Sequence, residues 1–119
     1  MIRTILIVDD DKDFLEYLVY ALKQINLNIL SVDNGFDALQ KLREEKIDAV
    51  LTDIAMPDMD GYELYTQIRN FNDDIPIIMM TGFGYDPNHV LVKARQDGLH
   101  NILFKPFEIE DLQEILNNI

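Results

Sequence analysis

Cysteine is absent from the 119 residues, and positive charge is scarce: ten lysines and arginines stand against twenty-two acidic side chains, a net charge of −12. Without cysteine there are no disulfides and no thiolate chemistry. The shortage of lysine and arginine speaks against direct nucleic-acid binding, which needs those side chains facing phosphates. An acidic surface instead suits a soluble partner with basic patches, or a metal cation, and it also serves solubility. No run of about eighteen apolar residues occurs, so no membrane span is expected, and the amino terminus lacks the pattern of a secretory signal. The cytoplasm is the expected compartment. Repeats, low-complexity tracts and linkers are missing too, which leaves one expected domain over residues 1–119, without an output domain.

What remains is an ordinary globular composition, 48% hydrophobic, enough to build one buried core. The apolar residues fall into alternating strand and helix patterns. Thr4-Ile5-Leu6-Ile7-Val8 is a continuous β-branched run, as in a strand buried on both faces of a parallel sheet. Phe14, Leu15, Leu18, Leu22 and Ile25 then recur at helical spacing over 12–25. Asn28 to Val32 predicts a second strand, and Asn34-Gly35 a turn into a helix marked by Ala38, Leu39 and Leu42. Ile47 to Leu51 predicts a third strand and 61–69 a third helix. Pro76 to Met80 predicts a fourth strand, its proline at the start where a ladder donor is least missed. Asp86-Pro87 opens a helix that stops at Asp97-Gly98. Asn101 to Phe104 and the set Ile109, Leu112, Ile115, Leu116 complete five strands and five helices. Strict alternation with short connections predicts an α/β fold, a doubly wound parallel sheet with right-handed crossovers.

In such a fold the carboxyl ends of the strands share one edge, where ligands bind. Asp9 and Asp10 arrive there from the first strand, Asp53 from the third, Thr81 from the fourth and Lys105 from the fifth. An acidic residue closing an apolar strand is poorly explained as structure, so Asp53 is the expected functional centre. Three carboxylates at one edge repel one another unless a cation joins them. Hard oxygen donors suit magnesium, which keeps several waters and favours one or two carboxylates plus phosphate oxygens. Asp58 and Asp60 belong to a Pro-Asp-Gly turn and Asp11 to a helix cap. His89 and His100 read as surface residues, and Met56, Met59, Met79 and Met80 as packing.

Ile5-Leu6-Ile7-Val8-Asp9-Asp10-Asp11, Asp53-Ile54-Ala55-Met56-Pro57-Asp58-Met59-Asp60-Gly61, Thr81 and Lys105-Pro106-Phe107, in that order, resemble the receiver domain of two-component response regulators over essentially the full length. The resemblance implies a flavodoxin-like sheet of order 2-1-3-4-5 and a phosphorylation-controlled switch, not a turnover enzyme. Asp53 matches the phosphoacceptor, Thr81 the hydroxyl that bonds the phosphoryl oxygen, and Lys105 the cation that pairs with it, across a cis Lys105-Pro106 bond. Asp10 matches a direct ligand of Mg²⁺ (or Mn²⁺), Asp9 its water-mediated partner, Asp53 a ligand, and the Ala55 backbone carbonyl the third protein ligand. The implied partners are a histidine kinase or histidine phosphotransfer domain, and a downstream protein docking on the face of the fourth helix, fifth strand and fifth helix.

Three departures stand out. Ile102 occupies the usual aromatic switch position, so a ring flip is not the expected relay. Gly82 stands where Ala or Ser is common. The stretch Thr81 to Pro87 is longer than usual, similar to receivers attached to hybrid sensor kinases. Ala55 and Phe83, two residues beyond Asp53 and Thr81, have no group to hold an attacking water, which predicts slow self-dephosphorylation. A scaffold without phosphorylation would be expected to lack a site residue, and none is missing. A flavin or nucleotide binder would need phosphate-receiving amides after the first strand, where Asp9-Asp10-Asp11 repels phosphate.

Overall fold

The structure is a computed structural model that describes residues 2–82 and 101–119. Its elements are β1 (Thr4–Val8), α1 (Lys12–Lys23), β2 (Asn28–Val32), α2 (Gly35–Glu44), β3 (Ala49–Asp53), α3 (Gly61–Arg69), β4 (Ile77–Thr81), β5 (Ile102–Phe104) and α4 (Ile109–Asn117). All strand pairings are parallel, in the order β2-β1-β3-β4-β5. The doubly wound sheet expected from the alternation is therefore present. The helix expected between Asp86 and Gly98 lies outside the described residues.

Strand periodicity sorts the core into two layers. Leu6, Val8, Val50, Ile77 and Met79 face one side and pack with Ala38 and Leu39 of α2 and Leu64, Tyr65 and Ile68 of α3. Their neighbours Ile5, Ile7, Leu51, Ile78 and Met80 face the other side, against Leu15, Leu18 and Leu22 of α1 and Leu112 and Leu116 of α4. Both faces being covered is why the central strands carry no polar alternation. Each large aliphatic side chain taken fully out of water contributes roughly 1.5–3 kcal/mol. All four expected packing methionines are buried.

Helix starts are set by short polar side chains. Asp11 accepts the Phe14 N–H at 3.2 Å, Asn34 the Asp37 N–H at 2.8 Å and Asp60 the Glu63 N–H at 2.8 Å. Asn34 is thus a helix cap and Gly35 already helical, where the sequence pointed only to a turn. α1 ends at Lys23, two residues before the predicted limit, and Asn26 turns the chain with φ 60°. β3 begins at Ala49, not Ile47, and just before it the side chain of Asp48 joins two chain segments. Its Oδ2 accepts the backbone N–H groups of Thr4 at 2.9 Å and Arg3 at 3.0 Å. Those two donors hold the Asp48 carboxyl below its ordinary range.

Candidate functional site

β1 and β3 are paired in register, Val8 opposite Thr52, so the residues that follow them emerge side by side. Asp9 is fully buried and Asp53 is 7% exposed, while Asp10 lies open to solvent. Each of the three offers a carboxylate oxygen, and these atoms lie within 4.8 Å of one another. Lys105, just past β5, reaches back to this cluster. Its Nζ is 2.8 Å from Asp9 Oδ2 and 3.2 Å from Asp53 Oδ1. Its backbone N–H donates to the Thr81 carbonyl at 2.7 Å, and the Lys105-Pro106 peptide is cis.

Burial is the main force on Asp53. It raises the carboxyl to about 6, and the neighbouring Asp9 adds to the rise while Lys105 opposes it. Burial works against the charge of Lys105, but its bond to Asp9 and the nearness of Asp53 outweigh that, leaving the ammonium above its ordinary value. Among the described residues, one cation thus stands at a cluster of three carboxylates, a surplus of about two negative charges. Asp9 has both oxygens engaged, Oδ2 by Lys105 and Oδ1 by the Asp11 N–H at 3.0 Å. Among the described residues, Asp10 and Oδ2 of Asp53 have no protein partner. Free hard oxygens with uncompensated negative charge fit a small divalent cation such as Mg²⁺ or Mn²⁺.

Thr81 ends β4 beside Asp53. Its hydroxyl oxygen is buried and has no hydrogen-bond partner among the described residues, a condition that normally costs about 1–3 kcal/mol. Ala55 and Gly82 border the same open cleft of about 420 Å³. Asp9, Asp10, Asp53 and Lys105 line this cleft too, while Thr81 is buried at the strand end next to Gly82. Asp60 caps α3, and Asp58 adopts φ 67° in the turn before it, in keeping with turn roles for both. Phe83, His89 and His100 lie outside the described residues. Ile102 is half-buried against the α2–α3 layer, and two residues on, Phe104 is 59% exposed.

Sequence reasoning missed Phe14. Its ring centroid lies 4.3 Å from Lys105 Nζ, and the Phe14 and Phe107 rings form a T-shaped pair at 6.1 Å and 89°. Helical spacing marked it only as an apolar position. The meeting of α1's first turn with the end of β5 follows from strand order, not from local pattern.

Similarity to known proteins runs along the whole chain. The family model of the response regulator receiver domain matches residues 5–117. The chain is 36% identical over 110 residues to the response regulator receiver protein CpdR of Brucella abortus, covering 92% of this chain and 90% of that protein. It is 37% identical over 113 residues to the transcriptional regulatory protein ZraR of Klebsiella oxytoca, covering 95% of this chain but 25% of ZraR. The chain thus spans nearly all of one relative and about a quarter of the other. Among solved structures, a receiver domain protein of Clostridium thermocellum aligns with TM-score 0.90 at 26% identity, over 98% of this chain and 92% of that one. A receiver protein of Pseudomonas putida aligns with TM-score 0.90 at 26% identity, over 100% and 98% of the two chains. With sheet order, acidic edge and these likenesses in agreement, the chain belongs to the response regulator receiver domain family of two-component signalling.

Proposed function

We propose that residues 1–119 form one receiver unit in which Asp53 takes a phosphoryl group from a phosphohistidine of a histidine kinase or histidine phosphotransfer domain. The carboxylate oxygen of Asp53 forms a bond to phosphorus as the nitrogen–phosphorus bond of the donor breaks. Such transfer is loose and in-line, so the protein's task is to position the nucleophile and neutralise oxygen charge. Lys105 pairs with one phosphoryl oxygen and the Thr81 hydroxyl donates to another. Asp10, Asp53 and the Ala55 carbonyl would hold Mg²⁺ or Mn²⁺, with Asp9 acting through water. Bound there, the cation offsets charge on the phosphoryl oxygens.

The observation that carries this reading is the buried Thr81 hydroxyl, without a hydrogen-bond partner among the described residues, at the strand end next to Asp53 and Lys105. A polar group is left unsatisfied in a dry position when its partner arrives with a ligand. Output is assigned to the face formed by the helix expected over 86–98, β5 and α4, with Phe104 exposed upon it. The signal passes there by a backbone shift following Thr81. No helix of the described residues is long and apolar enough to cross a membrane; a cytoplasmic site of action and the absence of nucleic-acid contact belong to the same proposal. The hybrid-kinase setting rests on the stretch after Gly82, outside the described residues.

Incubated with Mg²⁺ and acetyl phosphate, the chain is expected to gain one phosphoryl group by intact mass, and Asp53→Asn to gain none. After donor removal the mark should last on the order of minutes to hours, not seconds, since neither Ala55 nor Phe83 offers a side-chain group to hold water. Phosphorylation at either histidine, or mass gain in Asp53→Asn, refutes the assignment.

A further inference from the structure

We infer that Phe14 is a positioning residue, whose ring face holds the Lys105 ammonium against Asp9 and Asp53. The inference rests on the roles proposed above for Asp53 and Lys105. A lysine ammonium is a point charge on a flexible four-carbon stem, and nothing in the stem itself aims it. Here the two carboxylates take one side of the ammonium at 2.8 and 3.2 Å. The Phe14 ring takes another at 4.3 Å, well within cation–π range.

The ring is itself held. The Phe14 N–H donates to Asp11 Oδ1 at 3.2 Å, and the Asp11 N–H donates to Asp9 Oδ1 at 3.0 Å. Phe107, two residues after Lys105, forms a T-shaped pair with the Phe14 ring. Asp9, Asp11, Phe14 and Lys105 therefore close a ring of contacts that returns to Asp9 through its other carboxylate oxygen. Phosphoryl transfer requires Lys105 to exchange Asp53 Oδ1 for a phosphoryl oxygen without swinging into solvent. Attraction to a ring face depends weakly on which oxygen the ammonium meets, so Phe14 restrains Lys105 before and after that exchange.

The competing explanation is packing alone, since Phe14 also borders the α1–α4 core layer. An aliphatic residue of similar size would then serve as well. Phosphorylation of the full chain by acetyl phosphate with Mg²⁺ separates the two in a double-mutant cycle. Phe14→Leu should slow the reaction about 3- to 30-fold, and Phe14→Tyr, which keeps the ring face, should restore most of the rate. In a Lys105→Met background, Phe14→Leu should have no further effect. Without any phosphodonor, the Lys105 methylene protons beside Nζ should show an upfield ring-current shift in the NMR spectrum, lost in Phe14→Leu. A wild type that takes up no phosphoryl group, or an Asp53→Asn that does, overturns the site reading and the role of Phe14 with it. If wild type reacts at Asp53 but Phe14→Leu matches it, slows the Lys105→Met protein by the same factor as it slows wild type, or leaves the NMR shift in place, the inference alone is overturned.

Discussion

Asp53 is held at a cost to the fold. Its carboxyl, raised from 3.8 to about 6, binds a proton more tightly folded than unfolded. Between those two values the folded state carries more protons, so stability falls as pH rises through that window and levels off above it. In metal-free buffer, Asp53→Asn should therefore be more stable than wild type at pH 7.5 by about 1–3 kcal/mol. The upper figure follows from about 1.4 kcal/mol per pH unit, and the lower allows for screening through the open cleft. The gain should shrink below pH 6 and vanish near pH 4, as read by denaturant melts across pH. An equal gain at pH 4 and 7.5 would show that the effect comes from packing and not from charge.

The turn between β3 and α3 fixes where Asp53 ends. Gly61 donates its N–H to the Ile54 carbonyl at 2.8 Å. A Cβ at Gly61 would collide with the Asp53 carbonyl oxygen and come within 2.9 Å of Ile54 Cα. Both are backbone atoms and cannot step aside. Gly61→Ala should thus cost roughly 1–3 kcal/mol, as overpacking does, and slow phosphorylation by displacing Asp53. Gly35 offers the control. A Cβ there meets the Met59 sulfur at 2.6 Å and its Cγ at 3.1 Å, atoms of a flexible side chain and not of the backbone. Gly35→Ala should stay within about 1 kcal/mol of wild type, helped by alanine's helix preference. Equal losses for the two variants in thermal melts would remove the distinction between backbone and side-chain crowding.

In a chain of net charge −12, three carboxylates come together at the edge where β1 and β3 end. A cation that binds only the folded arrangement stabilises the whole chain, by about 2.7 kcal/mol at a hundred times its dissociation constant. Millimolar Mg²⁺ should raise the melting temperature by several degrees more than NaCl of equal ionic strength. Asp10→Ala should lose most of that increment, yet be no less stable than wild type without metal, because the exposed carboxylate has no partner to lose among the described residues. Melting curves with and without Mg²⁺ test both halves. A metal-free Asp10→Ala that melts early would reveal a structural partner for Asp10.

Fold class was legible in the sequence because buried parallel strands must be apolar on both faces and helices must repeat at 3.6, and both patterns are local. The grouping of the candidate site residues was legible for the same reason. Once strands and helices alternate, residues closing the strands must share an edge, so Asp9, Asp53, Thr81 and Lys105 could be grouped without coordinates. Their partners were not. The pairing of Lys105 with Asp9 spans 96 positions, and the Phe14 contact depends on α1 and β5 meeting across the sheet edge. Asp48 read as part of a strand, and only the approach of Arg3 and Thr4 turned its carboxylate into a tie between β1 and β3. Gly61 read as a turn glycine, while its need is steric and comes from the Asp53 carbonyl packed against it. Local pattern specifies which face each residue takes; which atoms meet across faces follows from strand order and register, quantities set by the packing of the whole chain.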